Sequence, residues 1–64
     1  MGYYILYPES RAGLVRVVTR KPKVKVKGYG FAEGPLLTIR GVVRRLNAMG
    51  VPMVNRPLGL RQLK

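Results

Sequence analysis

The stretch K-P-K-V-K-V-K-G-Y-G-F, residues 21–31, alternates with a period of two along its whole length. Charged and aromatic side chains fall on one face, and small or apolar residues fall on the other. The first face comprises Lys21, Lys23, Lys25, Lys27, Tyr29 and Phe31, and the second comprises Pro22, Val24, Val26, Gly28 and Gly30. Successive side chains of a strand leave opposite faces of a sheet. The alternation therefore predicts a half-buried strand whose valine face closes a small core.

The lysine and aromatic face has two interpretations. Cations that follow a phosphate backbone, next to rings on which bases stack, are typical of a single-stranded nucleic-acid surface. A solvated lysine stripe beside two rings that cover a sheet edge would look the same in sequence. The charge of the whole chain favours the first interpretation.

That charge is +11 on 64 residues, because thirteen Lys and Arg residues face only two Glu. Cations at this density repel one another and oppose the compact state, and a polyanion would relieve the repulsion. A hydrophobic content of 47% is too high for a disordered basic tail. We therefore expect one small domain over residues 1–64, of marginal stability, whose full ordering depends on its partner.

The flanking sequence predicts further strands. Residues 3–7, Y-Y-I-L-Y, carry apolar groups on both faces and indicate a central strand. Residues 8–13 run from Pro to Gly and indicate a turn, after which residues 14–20 resume as a strand. A basic turn at residues 21–23 then joins that strand to the lysine strand, so we expect these two to pair as a hairpin.

One helix is predicted after Gly34 and Pro35. Its apolar stripe consists of Ile39, Val42, Val43, Leu46 and Met49. Thr38 is the predicted N-cap, with Gly34 and Pro35 as the alternative start, and Gly50 fits the C′ position. Its opposite side carries Arg40, Arg44 and Arg45, a second candidate contact surface for phosphates.

Residues 51–54 and 58–61 are predicted as short strands. Residues 55–64 form a basic end, either an edge strand or an extension into a partner, and carry the candidate contacts Arg56, Arg61 and Lys64. The predicted fold class is α+β: an antiparallel sheet of three or four strands with one helix packed on its valine face, and a basic C-terminal end.

Catalytic groups are scarce. The chain has no His, Cys or Asp, and its side-chain carboxylates are Glu9 and Glu33. A nucleophile and base, or a general acid and base, need partners within hydrogen-bond reach, so we expect no enzyme, no metal site and no cofactor. No run of about 20 apolar residues is present, so no membrane span is expected. The start lacks the features of a signal peptide, which favours a cytoplasmic location.

The segment Lys27-Gly28-Tyr29-Gly30-Phe31-Ala32-Glu33 resembles the aromatic octapeptide of the RNA recognition motif family. The first five positions match, Ala32 replaces the usual Val, and Gly34 stands where that octapeptide ends in an aromatic residue. The resemblance covers residues 24–62, since Leu46-Asn47 and Arg56-Pro57-Leu58 are similar to the end of that family's second helix and the start of its fourth strand.

The resemblance implies that Lys27 holds a phosphate and that Tyr29 and Phe31 each stack a base. Tyr4 would correspond to the aromatic residue of the family's first strand. The family also has a helix between its first two strands, and only the turn at residues 8–13 is available here.

The composition as a whole is similar to that of small ribosomal proteins, in which Lys and Arg neutralise rRNA phosphates around a compact core. That resemblance also accounts for the arginines on the helix. We predict an RNA-binding structural protein, with rRNA and neighbouring ribonucleoprotein subunits as partners. The alternatives are a single-stranded RNA binder with a truncated RNA recognition motif, a small basic DNA-binding chromatin protein, and a module that binds an acidic protein or anionic membrane.

Overall fold

The computed structural model describes residues 2–10 and 12–62. Within them lie three strands, one helix and two 3-10 turns. These elements are β1 (Tyr3–Pro8), β2 (Arg16–Val18), β3 (Tyr29–Leu36), α1 (Ile39–Ala48) and the turns Met53–Asn55 and Leu58–Leu60. The strands form an open antiparallel sheet in the order β2-β1-β3, and α1 packs against β1 and β3. The predicted α+β class is confirmed.

β1 is the central strand, as its sequence predicts, and its alternate residues separate the two faces of the sheet. Ile5 and Tyr7 point to the side on which α1 packs, which we call the helix face. Tyr4 and Leu6 point to the other side, which we call the outer face. In the register with β2, Ile5 lies opposite Val17 and Leu6 lies opposite Arg16.

The core lies between the helix face and α1. Its buried members are Ile5, Tyr7, Val15, Val42, Leu46 and Leu60. Ile5, Val42 and Leu46 are the largest of the fully buried side chains. Burying one aliphatic side chain of this size stabilises a fold by about 1.5–3 kcal/mol, so a core this small leaves little margin.

The ends of α1 follow the predicted signals. Thr38 is the N-cap, and its Oγ1 accepts a hydrogen bond of 3.0 Å from the backbone N–H of Gly41. Gly50 has φ +71°, the left-handed conformation that a C′ residue needs. The N–H groups of Gly50 and Val51 donate to the carbonyls of Asn47 and Leu46, which closes a Schellman motif.

The predicted lysine strand is wrong. β3 begins only at Tyr29, and residues 19–28 form turns and bends. The predicted hairpin between residues 14–20 and this stretch is wrong as well, because β2 pairs with β1. β2 and β3 both run antiparallel to β1 and lie on either side of it, so the chain between them must cross β1. We call residues 19–28 the crossover segment.

The crossover segment passes over the outer face of the sheet. Pro22 and Val26 are half-buried there, and the segment encloses a shallow cavity of about 240 Å³ with Leu6, Tyr29 and Ala32. Leu6 is only 4% exposed although it points away from α1. Val24 is 78% exposed, so the expectation that the valines close the main core and carry the helix is wrong.

The strands predicted at residues 51–54 and 58–61 are 3-10 turns instead. They pack onto the domain rather than extending from it, because Leu60 is buried in the core. The N–H of Val15 donates to the carbonyl of Asn55 at 2.8 Å, and Asn55 Nδ2 donates to the carbonyl of Gly13 at 2.9 Å. Residues 55–62 are therefore neither an edge strand nor a free extension. Within the ranges that the structure describes, no helix has the length and apolarity to cross a bilayer.

Candidate nucleic-acid interface

The crossover segment presents its lysines to solvent on the outer face. Lys21, Lys23, Lys25 and Lys27 are all exposed. Lys25 Nζ lies 2.9 Å from Glu9 Oε2, an exposed ion pair that contributes little to stability. No ion pair holds the other three lysines within the described residues, so their charges are available to an external anion.

Tyr29 and Phe31 lie on opposite faces of the sheet. In the register of β1 with β3, Tyr7 is opposite Phe31 but Pro8 is opposite Tyr29, because a bulge interrupts the ladder between these pairs. Residues opposite each other in a ladder share a face, so Phe31 lies on the helix face with Tyr7 and Tyr29 lies on the outer face. The prediction that the two rings share one face is therefore wrong.

The two rings also differ in their surroundings. Tyr29 is half-buried, its hydroxyl donates to the carbonyl of Leu14 at 3.0 Å, and Arg16 Cζ lies 6.0 Å from its ring centroid. Phe31 is 54% exposed and stacks on Tyr7 with ring centroids 4.8 Å apart and planes 27° apart. Phe31 is therefore the ring of this pair that could receive a base.

Arg45 is engaged with Glu33 and not with solvent alone. Arg45 Nε and Nη2 lie 2.8 Å and 2.6 Å from Glu33 Oε2, while the Tyr7 hydroxyl donates to Glu33 Oε1 at 2.7 Å. The hydrogen bond from Arg45, and next that from Tyr7, lowers the pKa of Glu33 below its ordinary value. Burial, reinforced by the negative Glu33, raises the pKa of Tyr7.

The arginines of α1 therefore divide into two kinds. Arg40 and Arg44 are exposed, one helical turn apart on the outward side of α1, and neither has an ion-pair partner within the described residues. Arg45, which the sequence places with them, reaches toward β3 instead, so its charge is largely neutralised by Glu33.

The C-terminal arginines hold the backbone. Arg56 is 5% exposed, and its Nε and Nη2 donate to the carbonyl of Val51 at 3.0 Å and 2.8 Å. Arg61 donates from Nε to the carbonyl of Arg56 at 3.1 Å and from Nη2 to that of Val54 at 2.9 Å. Arg56, predicted as a nucleic-acid contact, is therefore buried and is not presented to solvent, and Lys64 lies outside the described residues.

Among the described residues, the sequence-based prediction missed two exposed cations. Arg16 in β2 lies on the outer face with the crossover segment, and Arg20 is exposed at the start of that segment. The alternation of residues 14–20 already places Arg16 opposite the valine side of its strand. That pattern was the signal that could have identified it.

The exposed cations thus occupy both sides of a thin molecule. The crossover segment lies on the outer face, and Arg40 and Arg44 lie beyond the helix on the opposite side. The Cα positions extend over 30 × 28 × 18 Å. No cluster of three or more His, Cys, Asp or Glu side chains that could hold a metal ion occurs among the described residues.

Comparison with protein-family models, with curated proteins and with solved structures gives no match to this chain. Its functional interpretation therefore rests on the geometry and charge of its own residues.

Proposed function

We propose that this protein is a cytoplasmic RNA-binding structural protein, a small component of a ribosome or of another ribonucleoprotein. The observation that carries the proposal is the set of exposed cations without a carboxylate partner in the described chain. That set includes Lys21, Lys23, Lys27, Arg40 and Arg44. Phosphates that replace the counterions of these side chains would give strong and salt-dependent binding.

The placement of the cations favours folded RNA over a single duplex. The Debye length at physiological ionic strength is about 8 Å, and the shortest extent of the Cα positions is 18 Å. The cations of the outer face and those of α1 therefore act on different phosphates. A folded RNA that surrounds the protein supplies phosphates on both sides, whereas a straight duplex contacts one side at a time.

Phe31 adds a contact that is not electrostatic. Its ring is more than half exposed and is supported from below by Tyr7. A base that stacks on it would contribute about 1–3 kcal/mol without requiring a particular sequence. Tyr29 is a weaker candidate for the same role, because its hydroxyl and ring are already engaged.

The proposal is tested by measuring affinity for a structured RNA, a single-stranded RNA and a DNA duplex at matched salt concentrations. We expect the highest affinity for structured RNA. Replacing Lys21, Lys23 and Lys27 with Gln should lower the salt slope by about one unit for each lysine that binds a phosphate. Replacing Arg40 and Arg44 with Gln should lower it independently, because these residues lie on the other side.

Two results would contradict the proposal. One is a chain that binds none of the three nucleic acids at moderate salt. The other is a preference for duplex DNA, which would favour the chromatin-type alternative and would be seen as bending of the duplex. Co-sedimentation of the purified chain with ribosomal particles would separate a ribosomal component from a general RNA binder.

A further inference from the structure

Three arginines line one groove between β2 and the C-terminal 3-10 turns. The groove measures about 470 Å³ and opens to solvent. Its lining includes Arg16, Arg56, Arg61, Leu14, Tyr29 and Leu58. No carboxylate lies among the lining residues. The positive charge of the groove is therefore uncompensated within the described chain.

Arg56 is the unusual member of this group. Its side chain is buried beside the groove, and Nη1 is enclosed without a hydrogen-bond partner in the described structure. Its other two nitrogens donate to a single neutral carbonyl, that of Val51. A buried guanidinium without a counter-charge is costly, because little water reaches it to screen the charge. An anion in the adjoining groove would lower that cost through the electric field, without touching Nη1.

Arg16 and Arg61 are placed to make the direct contacts. Arg16 is exposed on the outer face beside the Tyr29 ring, and Arg61 is half-buried. Arg61 uses Nε and Nη2 to hold the backbone, which leaves Nη1 without a bond inside the described chain. Guanidinium groups match the oxygen geometry of phosphate with paired N–H donors.

The apolar part of the groove indicates what carries the phosphate. Leu14 is 56% exposed and Leu58 is 78% exposed, and both line the groove beside the arginines. These side chains offer nothing to a bare phosphate ion. They offer a surface to a sugar or a base that is joined to the phosphate.

We propose that this groove binds one phosphate of a nucleic-acid strand, with Arg16 and Arg61 contacting its oxygens and the adjoining nucleotide lying over Leu14 and Leu58. Arg56 supplies a buried positive charge beneath the groove. That the phosphate belongs to a nucleic acid rests on the proposed function. That the three arginines form a phosphate-binding groove does not.

The test is an NMR titration of the isotope-labelled chain at constant ionic strength, once with inorganic phosphate and once with a short oligouridylate. We expect both ligands to shift the amide signals of residues 14–17 and 56–61. The oligonucleotide should bind more tightly and should also shift the methyl signals of Leu14 and Leu58. Arg16→Gln should lower the affinity for both ligands about tenfold, since it removes one charged hydrogen-bond donor.

Arg40→Gln is the control for the inorganic phosphate titration, because Arg40 is an exposed cation that does not line the groove. It should change the affinity for inorganic phosphate by less than about twofold. Arg61→Gln is the second groove variant. Because Arg61 also bonds to the backbone of the C-terminal 3-10 turns, the same spectra are used to check that these turns remain folded in the variant. Equal effects of Arg16→Gln and Arg40→Gln on the affinity for inorganic phosphate would overturn the proposed groove site.

The remaining outcomes separate the two proposals. If RNA binds without shifting the amide signals of residues 14–17 or 56–61, the proposed groove site is wrong and the proposed function stands. If the groove binds inorganic phosphate but the chain binds neither the oligouridylate nor the structured RNA, the nucleic-acid source of the phosphate and the proposed function are both overturned.

Discussion

Arg45 in α1 and Glu33 in β3 are joined through one carboxylate oxygen, with Nε and Nη2 at 2.8 Å and 2.6 Å from Oε2. The second oxygen of Glu33 accepts a hydrogen bond from Tyr7 in β1. One carboxylate therefore connects the helix, the central strand and an edge strand. Because the chain has only two acidic side chains, this placement contributes to a specific arrangement of the three elements.

Replacing Glu33 with Gln should lower the free energy of unfolding by about 1 kcal/mol, less than the roughly 1.5–3 kcal/mol of a typical charged hydrogen bond, because the pair is partly exposed. Thermal or urea unfolding of the two proteins measures the difference. Glu9→Gln is the matched control, since it removes the same charge from the exposed pair with Lys25. Equal losses of stability in the two variants would show that net charge, not the Glu33 hydrogen bonds, is responsible.

Acid should weaken the fold through Glu33. Because Arg45 and Tyr7 lower the pKa of Glu33 in the folded chain, its contribution is complete above the unfolded pKa of about 4.3. It is lost as the pH falls through the lower, folded pKa. The difference in melting temperature between wild type and Glu33→Gln should therefore shrink below about pH 4. A difference that stays constant down to pH 2 would contradict this assignment.

Alkali should weaken the fold through Tyr7. Burial and the negative Glu33 raise the pKa of Tyr7, so the unfolded chain loses this proton first. The contribution of Tyr7 is complete below the unfolded pKa of about 10 and falls as the pH rises above it. Tyr7→Phe keeps the ring against Phe31 and removes the hydroxyl. The free energy of unfolding of Tyr7→Phe should fall less between pH 9 and pH 11 than that of wild type. Parallel curves of unfolding free energy against pH for the two proteins would contradict the prediction.

The crossover segment should contribute to stability through its inward positions. Val26 is half-buried over the outer face, whereas Val24 is 78% exposed. Val26→Ala should lower the free energy of unfolding by about 1 kcal/mol, because it removes two methyl groups that are roughly half covered. Val24→Ala should change it by less than about 0.5 kcal/mol. Chemical denaturation measures both, and equal values would show that the segment is not packed on the sheet.

Gly34 should be the glycine least tolerant of substitution. Its φ is +151°, and an added Cβ would lie 2.6 Å from the carbonyl oxygen of Tyr3 and 2.8 Å from Tyr4 Cδ2. Gly34→Ala should lower the free energy of unfolding by more than about 2 kcal/mol, because alanine rarely adopts this backbone conformation and its Cβ would lie too close to Tyr3 and Tyr4. Gly59→Ala meets no atom within 4 Å and serves as the control. Melting temperatures of the two variants decide the comparison.

The helix could be predicted from sequence because its signals are local. An N-cap at Thr38, an apolar stripe and Gly50 after the last turn each act within a few residues of the helix. The structure confirms the caps and the burial of Val42, Val43 and Leu46. The central position of β1 was also predictable, because a strand that is apolar on both faces needs cover on both.

The lysine stretch could not be assigned in the same way. Alternation reports that a chain is extended with alternate sides buried, and it does not report what the chain pairs with. The crossover segment lies across the sheet and follows that pattern only in part, because Pro22 and Val26 are inward whereas Val24 is exposed with the lysines. Sequence periodicity alone does not distinguish this arrangement from a strand within the sheet.

Two features of the candidate site depend on tertiary contacts. A bulge of one residue moves Tyr29 to the face opposite Phe31, and a shift of that size leaves no trace in the alternation. Arg56 is a residue type that usually lies on the surface, but here it is buried and donates hydrogen bonds to the carbonyl of Val51. An arginine that bonds to a distant carbonyl looks the same in sequence as one that faces water.

The ten residues of the crossover segment are under two different constraints, one on the charge of its outward side chains and one on the packing of its inward side chains. Its lysines could exchange with arginine, or shift position by substitution, and still present positive charge to a phosphate. Pro22 and Val26 have less freedom, because they are half-buried and line the cavity that contains Leu6 on the outer face. Substitutions in this protein should therefore be unevenly tolerated within the segment, with three variable outward positions, residues 23–25, between two inward positions that tolerate few replacements.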